Sequence, residues 1–227
     1  MKKLMSAPVL FAVAGALLVV GVVLAFWYSP IDASSMGFSQ KILYFHAPIA
    51  AAGLIAYGVA FVAAIAYLRS QDLKWDRLGY VSVRVGLLFS ILVMATGMIW
   101  GKAAWGVWWA WEPRLTTFLL ACFLYAAYWV LRSVVDEEQR RATYAAVFAV
   151  IAFIDVPITF FATRLLPEGL HPVVIGPGGG GMQGSMAVSF GICMLGMLVL
   201  MTALILRDYE IEQIKDRVTD LKTSLGG

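Results

Sequence analysis

Six stretches of this sequence, near residues 8–28, 48–68, 80–100, 115–131, 143–163 and 186–206, are apolar almost without interruption. Each approaches the roughly 20 residues an α-helix needs to cross a hydrocarbon core. Inside lipid every backbone N–H and C=O must find a partner within the protein, which leaves helices and closed barrels. A barrel strand alternates apolar and polar positions, and these runs do not. The expected fold is all-α: a polytopic membrane protein of six transmembrane helices, with residues 1–227 as one domain. At 61% hydrophobic and 14% charged, with mean hydropathy +0.83, the chain falls outside the range of soluble domains.

Met1-Lys2-Lys3 ahead of an apolar run resembles a signal peptide. The run is too long for one, however, and ends in Phe26-Trp27-Tyr28-Ser29-Pro30 instead of a small-residue cleavage site. It is therefore kept as a span. Six spans put both termini on one side. Twelve Lys and Arg fall on the terminal side and four on the other (Lys41, Lys102, Arg114 and Arg164), while Arg84 sits inside the third run, one turn from the terminal side, where it can snorkel to the interface. The positive-inside rule makes both termini cytoplasmic and turns the segment 101–114 outward. This bias accounts for the net charge of +3, which does not argue for nucleic acid.

Segment 101–114 holds Trp105-Gly106-Val107-Trp108-Trp109-Ala110-Trp111-Glu112-Pro113-Arg114, with four of the chain's eight tryptophans in seven residues. Trp105, Trp108 and Trp109 are spaced i, i+3, i+4, so one helical turn would align them on a face. Pro113 is placed to begin the next helix, whose first turn does not need its missing N–H. A membrane-interface belt explains one or two tryptophans at a helix end. Four in a row fit better a flat platform for a large planar ligand.

The chain has two histidines, one on each side of this segment and both outward. His46 lies just before Pro48, read as the start of the second helix, where the positive end of the helix dipole keeps imidazole neutral and able to bind metal. His171 lies in the longest outer loop, 164–184, beside a glycine run that reads as a mobile cover. That run lacks the Lys-Ser/Thr of a phosphate loop. Zinc would want three or four protein ligands. Two imidazoles beside an aromatic platform instead suit one bis-histidine haem. Lys102, Arg114 and Arg164 are the cations available to its propionates. Met98 and Met182 are the alternative ligands, although methionine more commonly fills apolar gaps. Cys122 and Cys193 lie inside spans and read as small buried hydrophobes. With no C-x-x-C-H, the chain does not bind haem covalently as a c-type cytochrome does.

Three further features stand apart. Asp155-Val156-Pro157 puts a carboxylate and a kink in the fifth span; the carboxylate faces either the bundle interior or the backbone groups the kink frees. Loops 69–79 and 132–142 read as polar turns. In the tail 207–227, Ile211, Ile214, Val218, Leu221 and Leu225 form a coiled-coil-like seam for a partner or for the protein's own loops.

Trp105-Gly106-x-Trp108-Trp109-x-Trp111-x-x-Arg114-Leu115-Thr116 resembles the tryptophan-rich motif of the haem-handling proteins of cytochrome c biogenesis, the CcmC family. Tyr44-Phe45-His46-Ala47-Pro48 resembles the family's first axial-histidine segment, and Ile154-Asp155-Val156-Pro157-Ile158 through Leu170-His171 the stretch leading to the second. The resemblance covers most of the chain. It implies a protein of the bacterial cytoplasmic (inner) membrane that displays haem b on the periplasmic face. His46 and His171 would be the axial ligands, with Trp105, Trp108, Trp109, Trp111, Glu112, Arg114 and Arg164 around the ring. It further implies delivery to the periplasmic chaperone CcmE beside an ABC transporter of CcmA and CcmB, with the small protein CcmD. No substrate chemistry is implied beyond helping CcmE acquire its covalent haem. The chain departs from the family at Glu112-Pro113, where Asp-Ala is usual, and at Leu165-Leu166, where paired tryptophans are usual. The other readings are a b-type electron-transfer subunit of a quinone oxidoreductase, which would want histidines deep in the spans, and a small-solute permease, which leaves the tryptophans unexplained.

Overall fold

In a computed structural model the described residues are 7–31, 37–165, 170–171, 182 and 184–225, with the side chains of 163–165 excluded. Helix α1 (Ala7–Val23) ends in a π-helical turn, Leu24–Tyr28, and a 3₁₀ segment, Gly37–Ile42, runs into α2 (Leu43–Ser70). There follow α3 (Leu73–Trp105), α4 (Pro113–Val134), α5 (Glu138–Ala152), α6 (Asp155–Leu165) and α7 (Gly184–Leu225). Counting α5 and α6 as one crossing, six helical segments are long and apolar enough to span a membrane. No strand occurs among the described residues.

Each apolar run lies within these segments, but the helices reach further. The polar stretch 69–79 shrinks to Gln71-Asp72: Gln71 adopts the left-handed conformation (φ 56°) that closes α2, and the Asp72 carboxylate accepts from the Lys74 amide to open α3. Glu137 caps α5 in the same way, through the amides of Gln139 and Arg140. The tail from 207 is no separate segment, because α7 continues unbroken to Leu225. Pro48 does not begin α2 either. It stands five residues inside, leaving only the Tyr44 carbonyl without its ladder donor, and His46 lies well within a continuous helical run from Gly37. The helix-terminus argument for its neutrality therefore does not apply. Pro157 acts as expected: the ladder breaks at Phe153-Ile154, and α6 restarts at Asp155.

Lipid offers no hydrophobic drive between helices, so small residues and hydrogen bonds join them. The buried faces of α2 and α5 are largely alanine: Ala52, Ala56, Ala60, Ala63, Ala145, Ala149. At the centre the Tyr57 ring stacks on Tyr125, with centroids 3.5 Å apart and planes 2° apart, and its hydroxyl meets Ser90 Oγ at 2.9 Å. Tyr67 bonds across to the Gln139 carbonyl and Thr143. Helix α1 packs chiefly on α7, where Gly21 lies directly against the buried Cys193 and Gly196 against Leu18. Asp155 is buried and accepts from Thr159 at 3.3 Å, a bond within its own helix.

The two ends of the bundle differ. At one, Arg132 grips Asp76 in a two-pronged pair at 2.5 and 2.9 Å. Arg84 reaches out of the third run to Asp208 (2.6 Å) and Glu212 (2.9 Å) on α7, and Arg77 pairs with Asp216. These pairs hold one flank of the tail against α3. The seam on its other flank stays open, with Ile214, Val218 and Leu221 exposed. At the opposite end, Ser29 Oγ meets Ser189 Oγ at 2.7 Å and Lys41 Nζ donates to the Ser29 carbonyl, tying α1 and the 3₁₀ segment to the start of α7. The tryptophan segment lies at this second end.

Candidate haem site at the tryptophan face

The site begins with the way α3 stops. Gly106 takes φ +76°, a conformation costly for any residue with a Cβ, and ends the helix directly after Trp105. Lys102 Nζ donates to the Gly106 carbonyl at 2.8 Å and closes the turn. The continuous helical turn expected for Trp105, Trp108 and Trp109 therefore does not form. The platform divides into two edge-to-face clusters. Trp109 and Trp111 meet with centroids 5.5 Å apart at 80°. Trp105 meets Trp100, the last turn's inward-facing tryptophan, at 4.8 Å and 71°. Trp108 and Trp111 are exposed, at 55% and 77%, whereas Trp100 is buried.

His171 seats on the second cluster. Its ring lies 5.2 Å from Trp105 and 5.5 Å from Trp100, centroid to centroid. Its Nδ1 is 3.2 Å from Glu112 Oε1. That is ion-pair range, but the alignment is not that of a hydrogen bond, and Glu112 Oε2 and His171 Nδ1 have no hydrogen-bonding partner. Glu112 has a second task. With Pro113 in the first turn, its Oε1 accepts from the Leu115 amide at 2.7 Å and opens α4. Burial pushes the Glu112 carboxyl up, but His171, the Leu115 amide and Arg114 outweigh it and hold the group below its ordinary value. One carboxylate thus fixes both a helix start and a histidine.

His46 approaches from α2. Its Nδ1 is 2.9 Å from Thr96 Oγ1 on α3, and its Cε1 lies so close to Gly97 that a Cβ there would stand 3.1 Å away. His171 and Arg114 are within electrostatic range of it. The two histidines therefore lie at the same end of the bundle, His171 beside Trp105 and Glu112 and His46 against Thr96 and Gly97. In the tryptophan segment, Trp109 Nε1 is buried without an acceptor. An N–H in that state suits an anionic ligand group such as a propionate. The Arg164 side chain lies outside the described residues. Met98 is exposed on α3, and Met182 packs towards the cluster of Tyr44 and Phe190. Among the described residues no three His, Cys, Asp or Glu side chains converge.

Trp100, Thr96 and Gly97 were not singled out by sequence reasoning. Their spacing of i, i+1 and i+4 puts them on one face of α3, and that pattern is the only sequence signal that pointed to them.

The model of the family described as "Heme exporter protein C" matches residues 2–224. Curated relatives of that name include one from Haemophilus influenzae, 32% identical over 88% of this chain and 81% of its own length. One from Bradyrhizobium diazoefficiens is 27% identical over 84% and 73%. One from Rhodobacter capsulatus is 26% identical over 66% of this chain and 62% of its own length. A family match over nearly the whole chain, together with six spans and the tryptophan segment, leads to one conclusion: this chain belongs to the Heme exporter protein C family.

Proposed function

We propose that this protein holds haem b at the outer, periplasmic face of the bacterial inner membrane and presents it to the chaperone CcmE during c-type cytochrome maturation. It does so beside the ABC transporter subunits CcmA and CcmB and the small protein CcmD. Both termini are cytoplasmic in this reading. Haem is cargo here, and the iron supplies two axial positions for His46 and His171. The observation that carries the reading is the seat of His171 against Trp105, Trp100 and Glu112, with His46 on α2 within electrostatic range of it. Trp105 meets the imidazole edge-to-face and Trp100 meets it at a tilt, contacts that orient the ring. Trp109 Nε1, Arg114, Arg164 and Lys102 are the donors for the propionates in this reading. Trp108 and Trp111, exposed at the rim, are the surfaces a chaperone would meet first.

A b-type electron-transfer subunit would want histidine pairs stacked through the bundle. The only two histidines of this chain sit at one end of it.

The test is the absorption spectrum of the purified protein with and without dithionite, repeated for His46→Ala and His171→Ala. Low-spin haem in the wild type, sharply reduced in each variant, is the expected result. Undiminished haem in both variants would remove the ligand assignment. A wild type that neither carries nor takes up haem would remove the reading itself.

A further inference from the structure

We infer that Thr96 sets the tautomer of His46, so that Nε2 is the nitrogen free to bind metal. The inference deepens the haem reading above, but its first test does not depend on haem.

A neutral imidazole carries one proton, on Nδ1 or on Nε2, and only the bare nitrogen can ligate. Which nitrogen is bare depends on what the other one faces. His46 Nδ1 faces Thr96 Oγ1 at 2.9 Å. A hydroxyl has one proton to give and two lone pairs to receive with. Thr96 Oγ1 is also 2.8 Å from the Leu92 carbonyl and 3.2 Å from the Val93 carbonyl of its own helix. If the hydroxyl proton turned to His46, an oxygen lone pair would face the Leu92 carbonyl oxygen at hydrogen-bonding distance with no proton between them. Donation to the carbonyl removes that repulsion and is the usual habit of threonine within a helix. The hydroxyl then has only lone pairs to offer His46, and Nδ1 must carry the proton. The lone pair is left on Nε2, the nitrogen that does not face Thr96.

Two features keep this arrangement rigid. Thr96 is β-branched and sits in the middle of α3, so its χ1 has few options. The bare backbone of Gly97 lets the His46 ring lie against α3, and any Cβ at that position would intrude on Cε1. Thr96 touches no iron in this account. It is a positioning residue that acts through the ring.

The chain's two histidines make the test direct. Protein labelled with ¹⁵N-histidine, free of haem and held above the ordinary imidazole pKa of about 6.5, yields two sets of imidazole nitrogens. The set lost in His46→Ala belongs to His46. The wild type is expected to show His46 protonated at Nδ1, with Nε2 of the bare type. Thr96→Val keeps the shape and removes the acceptor, and is expected to shift His46 toward the Nε2–H form; Thr96→Ser is expected to retain the wild-type pattern. A wild-type His46 protonated at Nε2 overturns the inference without any variant. An Nδ1–H pattern that persists in Thr96→Val overturns it as well. Titration with haem is the second readout. Loss of the outer partner of a ligating histidine costs roughly 10–100-fold in affinity, so Thr96→Val is expected to weaken retention by about tenfold, with recovery in Thr96→Ser. Haem bound as tightly by His46→Ala as by wild type, with the tautomer shift still present, would discard the ligand assignment and leave the role of Thr96 standing.

Discussion

A methyl group at position 97 would stand 3.1 Å from His46 Cε1. Carbon atoms rest at about 3.5 Å or more, so Gly97→Ala asks the imidazole to retreat by roughly 0.4 Å. The backbone of α3 cannot yield in its place, because the helix is continuous from Leu73 to Trp105. The retreat lengthens the 2.9 Å contact to Thr96 Oγ1 towards the limit of a hydrogen bond. Losing such a bond costs about 1 kcal/mol, which corresponds to about fivefold in affinity. The same substitution should strengthen the helix, since Gly is worse than Ala in a helix interior by roughly 0.5–1 kcal/mol, which about offsets the lost bond in the stability of the fold. Binding should therefore weaken while stability holds. The assay is a haem titration followed at the Soret band, paired with thermal unfolding in the same detergent. Weaker haem with an equal or higher melting temperature is the expected outcome. Unchanged affinity with raised stability would show that the ring is not held against α3, and a fall in both would show a packing defect with no bearing on the site.

Substitutions at three more positions separate the tasks combined at this face and its opposite. Glu112→Gln should keep the α4 start but remove the charge beside His171, lowering haem retention several-fold with little change in stability. Glu112→Ala should in addition cost about 1 kcal/mol through the lost cap, and equal unfolding curves for the two would refute the capping role. Gly106→Ala should cost about 1–2 kcal/mol, because φ +76° is strained for any residue with a Cβ; an unaltered melting temperature would mean that the turn rearranges freely. Arg84→Met should release the tail, since Asp208 and Glu212 lose their shared partner, and protease cleavage between 207 and 225 is expected to become much faster.

The crossings could be read from the chain because lipid imposes a simple demand. A run of apolar residues of the right length has no other structure to adopt, and each of the six runs coincides with one of the six spanning segments. The ends were harder. Gln71-Asp72 and Glu137 make caps so compact that polar stretches read as loops are mostly helix. Pro48 resembled a start signal, yet a proline near a helix beginning leaves only one carbonyl unserved, so the helix extends past it. At the site, His171, Trp105 and Glu112 are chemically conspicuous in the sequence and meet in the fold. Their arrangement was not legible. A regular spacing of tryptophans cannot reveal that Gly106 interrupts the helix, so the expected flat surface becomes edge-to-face pairs. Thr96 and Trp100 are unremarkable within an apolar run. Arg84 meets a partner 124 residues away in the chain, a distance no local pattern spans.

Helix α7 has 42 residues without a break, about 63 Å at 1.5 Å per residue. The hydrocarbon core takes up about 30 Å of that, so close to half of the rod stands clear of it. Near its start it is pinned to α1 by Ser29 and Ser189, and along its far half it is braced on α3 by Arg77 and Arg84. Such a member behaves as a lever with its fulcrum inside the bundle. A sideways load on the exposed row of Ile214, Val218 and Leu221 would reach Ser189 as tilt instead of dissipating in a hinge. The chain enters this lever soon after His171. A load at the far end would therefore be felt at the opposite end of the bundle, where Ser189 meets Ser29.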